Sequence, residues 1–349
     1  MYEFQKSSPI RKIIVNDMTI GPGEHTFFVA EEGQANDGDF NLALKMVAIA
    51  AAAKVDAIEF QLAIADDFYI RSHPIHPIYA RRQFSRRQLN ELLSCICEAG
   101  IVPVATVFSS RLVQDLVDLG CPLFNISSCD IDNPEILDSI TETGRPFFIS
   151  TAMATQDDVD WAVDRVQQHG ATSFALLHGQ HTMTTDNSGV PENQAHLAVI
   201  TTMRARYRAP VGFIDHTSNL YMPSIAAASG TDVVTKHFTW DRLDRGPDWQ
   251  ICLEPGELAE AVRLVRLVDQ TVGRSVKALV DGEQSDCFAM RRSIVSAMDL
   301  PIGTKLRREH IAFKRPGIGL SPKRINEVLN RCLRVSLSAD DVVRLEDLS

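Results

Sequence analysis

The sequence predicts an α/β fold, specifically a closed (β/α)8 TIM barrel. From about Thr26 to residue 272, short β-rich runs alternate with helix-like segments, and eight such units can be counted. Nearly every β-rich run also ends in a polar or ionisable residue, as expected where barrel strands converge on one mouth. An open, doubly wound sheet is the alternative. It would need a switch point and a phosphate-binding glycine loop after an early strand, and neither is visible.

The predicted strands and helices can be read directly from the sequence. The strands are TFFVAE, AIEFQ, VPVATVF, LFNISS, PFFIST, SFALLHG, PVGFIDH and VVTKHF. Several helix-like segments open on Ser or Thr or end at Gly, which is the expected capping chemistry. They include FNLALKMVAIAAAAK, SRRQLNELLSCICEAG, SRLVQDLVDLG, TQDDVDWAVDRVQQHG and PGELAEAVRLVRLVDQTVG.

The polar residues at the strand ends form the predicted active site. In chain order they are Glu31, Glu59, Gln61, Thr106, Ser127, Ser128, Ser150, Thr151, His178, Asp215, His216, Lys236 and His237. One such residue can be a cap or a satisfied core group. A polar group at the end of nearly every predicted strand is hard to explain by structure alone, because catalytic groups collect at this end of a barrel.

Glu59 stands out because it interrupts an apolar strand, DAIEFQLA. Side chains alternate along a strand, so Glu59 and Gln61 share one side. A buried carboxylate is costly unless it has a partner. The barrel prediction places Glu59 at the mouth of the active site beside Gln61, where burial would not be a problem.

Composition narrows the range of partners and compartments. The chain has 349 residues, 45% hydrophobic and 23% charged, which is typical of a soluble globular protein. A net charge of −10 argues against nucleic acid or an anionic membrane as a partner. The N-terminus lacks the apolar core of a signal peptide, and no apolar run approaches membrane-spanning length. Seven cysteines without a C-x-x-C pair indicate reduced thiols, so we expect a cytoplasmic protein.

After about residue 280 the sequence changes to short strand-like runs, turn residues and a basic middle, which predicts a second domain. We expect a barrel over residues 1–273, a linker over 274–284 and a small domain of mixed β character over 285–349. The small domain contains FKRPGIGLSP, a basic loop. Its glycine pair is only a fragment of a nucleotide-binding pattern, so we do not expect nucleotide binding. The loop either reaches another surface or is a solvated, charged turn.

Two histidines give the strongest local signal for chemistry. His216 and His237 end the seventh and eighth predicted strands, which places them within reach of one metal ion. The alternative is that both histidines bond to neighbouring loops. The following segment, RGPDWQICLEP, overhangs the predicted mouth, where Asp248 would accept hydrogen bonds from sugar hydroxyls or act as an acidic turn residue.

Together these motifs resemble the sialic acid (N-acetylneuraminate) synthase family, which includes the pseudaminic and legionaminic acid synthases. The resemblance covers nearly the whole chain. It is carried by IGPGEHTFFVAEEGQANDGD, FNISSCDI, ISTAMAT, VGFIDHT, VVTKHFTWDR, GPDWQICLEP, RRSIVSAMDLPIGTKL and FKRPGIGLSP. It implies a TIM barrel followed by a small antifreeze-like (SAF) domain, and a domain-swapped homodimer.

The resemblance also implies a reaction. The family condenses phosphoenolpyruvate with an N-acylated hexosamine to give a nine-carbon 2-keto acid. A divalent metal, typically Mn²⁺ or Mg²⁺, is held by two histidines that match His216 and His237, and a glutamate near the metal matches Glu31. The metal activates the sugar aldehyde and orients the reactants.

Further matches lie on the sugar side of the site. Gln61 and Asp248 match contacts to the acceptor sugar. Arg315 matches an arginine that the second domain of one subunit inserts into the partner's active site.

The donor side departs from the family pattern. Two family lysines are replaced by Glu59 and Asn125, and a serine before the D-H-T motif is Ile214. The segment HGQHTMTTD, from His178 to Asp186, replaces the family's C-T-S-x-Y-P. Reversing one charge changes the interaction with a bound anion by several kcal/mol, since one ion pair contributes about 4 kcal/mol at 4 Å. Candidate substrate contacts that remain are Thr106, Asn125, Ser128, Asp130, Ser150, His178 and Lys236, with His181 as a further compensating group.

Three functional hypotheses follow. The first is a divergent synthase that condenses a phosphoenolpyruvate-like donor with an amino-sugar aldehyde. The second is a metal-dependent aldolase, lyase or isomerase acting on a less anionic, sugar-like substrate, with Glu59 as general base or third metal ligand. The third is a non-catalytic sugar-binding homologue. Retention of Glu31, the histidine pair, Asp248 and Arg315 counts against the third.

Overall fold

The computed structural model describes residues 10–182, 189–273 and 276–349. The chain divides into two compact units, Met1–Gly273 and Arg274–Ser349. No helix in these described ranges is both long and apolar enough to cross a membrane.

The first unit is a closed barrel of eight parallel strands, which confirms the predicted fold class and excludes the open sheet. Going round the barrel, the order is β10-β3-β4-β5-β6-β7-β8-β9. An antiparallel hairpin, β1 and β2, precedes the barrel. The strands are β1 Ile13–Val15, β2 Met18–Ile20, β3 Phe27–Glu31, β4 Ala57–Leu62, β5 Val102–Val107, β6 Leu123–Ile126, β7 Phe147–Ser150, β8 Phe174–His178, β9 Val211–Asp215 and β10 Val233–His237.

Helices alternate with the barrel strands, and local sequence fixes several of their ends. Asp39 caps the first helix by accepting two backbone N–H groups, and Ser85 and Thr155 each open a capping box. The helices of this unit are α1 Phe40–Ala52, α2 Ala65–Phe68, α3 His76–Arg81, α4 Arg86–Glu98, α5 Arg111–Asp118, α6 Pro134–Glu142, α7 Gln156–Gln168, α8 Ala198–Tyr207, α9 Met222–Ala228 and α10 Pro255–Val272.

Alternation along the strands creates two apolar layers. Side chains such as Phe28 and Val234 pack outward against the helices. Side chains such as Phe27, Val29 and Val233 pack inside the barrel and close its amino-terminal end. Burying one such side chain contributes about 1.5–3 kcal/mol. The interior turns polar only at the carboxyl ends of the strands, so the candidate site lies there.

The second unit has its own small core. Strands β11 Ser293–Ser296 and β12 Ile311–Lys314 pair in an antiparallel ribbon. Ile294, Leu306 and Val343 are among its buried core residues. Helix α11, Glu283–Met290, begins inside the segment predicted as a linker.

Candidate active site

Strand register brings the predicted catalytic residues together at the barrel mouth. Glu31 on β3 is in register with Glu59 on β4 on one side and with His237 on β10 on the other. His216 follows directly after β9, the other neighbour of β10. The four predicted catalytic residues therefore come from four adjacent strands.

The two histidines form a buried pair. Their ring centroids are 5.3 Å apart. The Nδ1 atoms of both rings are buried without a hydrogen-bond partner. Burial lowers the pKa of His237 and lowers that of His216 well below its ordinary value, so both rings are neutral, which is the form that binds metals.

Glu31 lies directly beside the histidine pair. His237 Nε2 lies 3.3 Å from Glu31 Oε2, and that oxygen has no hydrogen-bond partner. Two ligands bound to one ion at about 2.1 Å are themselves about 3 Å apart, so this spacing suits a shared cation. Within the described ranges, no group of three or more His, Cys, Asp or Glu side chains could hold a metal ion in the arrangement that the structure shows.

Gly33 packs directly against the ring of His237. It has a φ of +58°, and a Cβ atom at this position would lie 2.5 Å from His237 Nδ1. Only glycine permits both the backbone conformation and the close approach. In the sequence this position is the glycine of AEEGQAND, two residues after the end of β3.

A third imidazole joins the histidine pair. The His181 ring lies 5.0 Å from the His216 ring, in an edge-to-face arrangement. His181 belongs to the rebuilt segment from His178 to Asp186, of which residues 183–188 fall outside the described structure. The structure thus brings into the site a residue that the sequence suggested only as a compensating group.

Glu59 lies in register with Glu31 but is fully buried, so the expectation that its position would spare it the cost of burial is wrong. Its Oε1 accepts hydrogen bonds from the Thr106 hydroxyl and from Asn125 Nδ2, the latter at 2.8 Å. Its Oε2 has no partner. Burial and the nearby Glu31 charge raise the pKa of Glu59 to about 8. The two hydrogen bonds offset part of the cost of burying the carboxyl, so Glu59 has the partners that a carboxyl within an apolar strand needs.

The same hydrogen bonds continue across the next strands. Asn125 Nδ2 also lies 3.1 Å from Thr106 Oγ1, and Ser150 Oγ donates to Asn125 Oδ1 at 3.1 Å. Glu59, Thr106, Asn125 and Ser150 therefore form one buried network from β4 to β7. Three residues predicted as substrate contacts bind one another and the Glu59 carboxyl.

Gln61 and Asp248 lie around Glu31. Gln61 is half-buried, and its Nε2 donates to Glu31 Oε1 at 2.8 Å. Burial, with a smaller contribution from the Asp248 charge, raises the pKa of Glu31 to about 7. The sequence placed Asp248 in a loop above the mouth, and its effects on Glu31, His181 and His237 are consistent with that position.

Lys236 and His178 do not join the interior cluster, contrary to prediction. Val234 on the same strand as Lys236 packs outward, so alternation turns Lys236 outward too. Its side chain is 0% exposed, with Nζ 3.0 Å from Asp215 Oδ2 and donating to the Thr217 carbonyl. His178 likewise follows the interior residue Leu177, and its Nε2 lies 3.0 Å from the Ala195 carbonyl oxygen.

The remaining predicted contacts lie elsewhere. Ser128 and Asp130 belong to a 3₁₀ turn after β6, where Asp130 accepts a hydrogen bond from Asn133 Nδ2 at 2.7 Å. Burial raises the pKa of Asp130. Arg315 belongs to the second unit, where it is exposed directly after β12. Its insertion into a partner's site stays a prediction.

Comparison with known proteins decides the family. The NeuB family model matches residues 46–277, and the SAF domain model matches residues 291–349. The chain belongs to the NeuB family. The resemblance inferred from the motifs is thereby confirmed, together with the SAF domain after the barrel.

Relatives of this NeuB chain include legionaminic acid and N-acetylneuraminate-9-phosphate synthases. N,N'-diacetyllegionaminic acid synthase of Campylobacter jejuni is 27% identical, covering 91% of this chain and 99% of its own. N-acetylneuraminate-9-phosphate synthase of mouse is 28% identical, covering 93% and 94%. An uncharacterized protein of Methanocaldococcus jannaschii is 31% identical, covering 97% and 99%.

A solved structure agrees with these relatives. N-acetylneuraminic acid synthetase of Leptospira borgpetersenii, crystallised with citrate, superposes with a TM-score of 0.74 at 29% identity. The match covers 79% of this chain and 95% of that one. The chain is thus a synthase-type enzyme of the NeuB family.

The inward strand positions of this NeuB barrel that the structure describes carry no basic side chain other than histidine. Side chains alternate along a strand, so the buried residues inside the barrel show which other positions on each strand also point inward. Among the described residues, no inward position on the eight barrel strands is Lys or Arg. The inward polar residues on these strands are Glu31, Glu59, Gln61, Thr106, Asn125, Ser150, Thr235 and His237.

Proposed function

We propose that this chain catalyses a metal-dependent condensation of a three-carbon donor with an amino-sugar aldehyde, giving a nonulosonate-type 2-keto acid. Family membership supports the reaction class. The observation that carries the proposal is the buried pair of His216 and His237 with Glu31 beside it. His237 Nε2 lies 3.3 Å from Glu31 Oε2, an oxygen without a hydrogen-bond partner, and this is where a divalent cation such as Mn²⁺ or Mg²⁺ would be held.

The residues around this group have distinct roles in the proposed reaction. His216 and His237 would hold the cation, which supplies Lewis-acid polarisation of the sugar aldehyde when bound. Glu31 would lie beside the bound cation, where its carboxyl is placed to transfer a proton near the reacting atoms. Gln61 holds Glu31 in place through its amide.

The acceptor sugar would lie on the side of Gln61 and Asp248. Both side chains are only half-buried, so sugar hydroxyls can reach them. We also propose a domain-swapped homodimer in which Arg315 of one subunit completes the partner's site. Its exposed position in the second unit leaves its guanidinium available for such a contact.

A second candidate is a metal-dependent aldolase, lyase or isomerase on a less anionic sugar-like substrate. The interior of the barrel favours it, because the predicted phosphoenolpyruvate-like donor would bring several negative charges to an inward surface on which the described strand residues include no Lys or Arg. The donor is therefore the part of the family reaction that this site fits least well.

The proposed function can be tested with the full chain and Mn²⁺. Incubation with an N-acylated hexosamine panel and either phosphoenolpyruvate or pyruvate should give a 2-keto acid, detected by mass spectrometry. The double variant His216→Ala/His237→Ala should lose both the product and calorimetric Mn²⁺ binding, whereas His169→Ala on the surface should keep both. An unchanged metal content in the double variant would contradict the metal assignment.

A further inference from the structure

An aromatic cluster lies at the rim of the barrel mouth, on the segments that follow β4 and β5. Its centre is Phe68, which stacks on Phe108 with ring centroids 4.3 Å apart and meets Tyr79 edge-on at 5.0 Å. The Tyr69 ring lies 4.7 Å from Phe68 and 5.1 Å from Tyr79. These four residues, Phe68, Tyr69, Tyr79 and Phe108, are called the aromatic wall. Aromatic pairs are favourable at such distances, so the four rings form one continuous surface.

The aromatic wall faces the mouth of the barrel. The backbone N–H of Phe108 donates to the Leu62 carbonyl at 2.9 Å, so β5 keeps its alignment with β4 one residue beyond its last ladder pair. Side chains alternate along a strand, so Phe108 points inward like Thr106, one layer closer to the opening. Burial, with a smaller contribution from the Asp248 charge, raises the pKa of Tyr79 to about 12, which places Tyr79 on the Asp248 side of the mouth.

Two ion pairs hold the segment that carries most of the wall. Near its start, Arg111 Nε donates to Asp67 Oδ2 at 2.8 Å. At its end, Arg82 Nε donates to Asp37 Oδ1 at 2.7 Å. These contacts tie residues 67–82 to the loops after β5 and β3. The rings therefore have fixed positions above the strands.

The wall presents apolar ring surface to a ligand. Phe68, Tyr69 and Tyr79 are only half-buried, so a ligand in the mouth can reach them. The Arg82 guanidinium, which lies 5.8 Å from the centre of the Tyr79 ring, is already paired with Asp37. A group that packs on these rings therefore gains apolar contact and no ion pair.

The wall lies across the mouth from the histidine pair. His237 ends β10, and the order of strands from there is β10-β3-β4-β5. Phe108 is thus three strand spacings, each about 4.8 Å, from the strand of His237, and Gln61 lies between them. A sugar with its aldehyde at the histidine pair and its hydroxyls at Gln61 directs its other end towards the wall.

We infer that the acceptor is a 6-deoxy N-acylhexosamine, whose terminal methyl group packs against the aromatic wall. The inference rests on the proposed condensation and specifies its acceptor. A methyl group is stabilised when it leaves water for an aromatic surface. A terminal hydroxyl at the same place would lose hydrogen bonds to water, and a terminal phosphate would lose the hydration of its charge.

Binding of unreactive sugars tests the inference without any donor. The sugar alcohols of N-acetylmannosamine, of its 6-deoxy form and of its 6-phosphate have no aldehyde and cannot condense. Each is titrated calorimetrically into the full chain with Mn²⁺. We expect the 6-deoxy compound to bind at least tenfold more tightly than the other two, since one group in a fitted pocket discriminates by about 10–200-fold.

Variants show whether the wall causes this preference. Tyr69→Ser/Tyr79→Ser removes two rings and should reduce the preference to less than threefold, whereas Tyr69→Phe/Tyr79→Phe keeps the rings and should retain it. Tyr207→Ser is the matched control, because Tyr207 ends α8 at the opposite end of the barrel from the mouth, and it should retain the preference. Thermal unfolding shows that each variant is folded.

Three results would overturn the inference. They are equal or weaker binding of the 6-deoxy compound by the wild type, no binding of any of the three sugar alcohols, and an unchanged preference in the double serine variant.

The inference and the proposed function can fail separately. If the 6-deoxy compound is preferred through the wall but no donor yields a 2-keto acid with the corresponding aldehyde, the acceptor assignment stands and the condensation fails. If a 2-keto acid forms with the same kcat/KM whichever group the sugar carries at its terminal carbon, the condensation stands and the acceptor assignment is overturned.

Discussion

Replacing Glu59 with Gln should remove a pH-dependent loss of stability. Glu59 has a pKa of about 8 in the folded barrel, against an ordinary value of 4.5. The folded state therefore holds this proton over a pH range in which the unfolded chain releases it. Stability contributed by the protonated carboxyl is fully present below pH 4.5 and is lost as pH rises through 8.

The size of the effect follows from that shift. A difference of about 3.5 pH units corresponds to roughly 5 kcal/mol, of which about 4 kcal/mol is lost by pH 8. Burial raises the pKa values of Glu31 and Glu32 to about 7, so these two groups also make stability fall with rising pH, equally in wild type and in Glu59→Gln. Glu59→Gln keeps the shape and the neutral hydrogen-bonding capacity of the protonated acid, so its stability should fall less steeply.

Guanidinium unfolding at pH 5, 6, 7, 8 and 9, with a chelator present, measures this difference. All three tryptophans, Trp161, Trp240 and Trp249, belong to the barrel unit, so their fluorescence reports its unfolding. We expect the variant to gain about 3–4 kcal/mol over wild type between pH 5 and pH 8. Parallel pH profiles for the two proteins would refute the assignment of a neutral, buried Glu59.

Two further changes test the packing around the site. Lys236→Met leaves Asp215 buried without its partner and should cost about 3–5 kcal/mol of unfolding free energy. Adding Asp215→Asn should recover at least half of the lost unfolding free energy. A loss below about 1 kcal/mol for Lys236→Met alone would contradict a buried Lys236–Asp215 ion pair. Gly33→Ala should weaken calorimetric Mn²⁺ binding at least tenfold, because its Cβ meets His237. Gly144→Ala is the control, because Gly144 has a φ of +65° but open space around it, so this variant introduces backbone strain without a side-chain clash. Equal Mn²⁺ affinities in the two variants would rule out the contact between the new Cβ and His237.

Several site residues could be predicted from the sequence because the carboxyl ends of parallel strands meet at one mouth. Glu31, His216 and His237 were found this way, and the structure brings them together. The same rule failed for Lys236 and His178. Their strands, VVTKHF and SFALLHG, are apolar on both faces, so the sequence does not show which residues face inward.

The sequence by itself determined the barrel, the SAF domain and the family, because strand and helix periodicity and ordered motifs depend only on the order of residues. It also showed that Glu59 departs from the family pattern. The tertiary structure decided what Glu59 contacts: the Thr106 hydroxyl and the Asn125 amide, with one carboxyl oxygen left free. These partners lie on β5 and β6, and only closure of the sheet fixes the register that brings their side chains to one carboxyl.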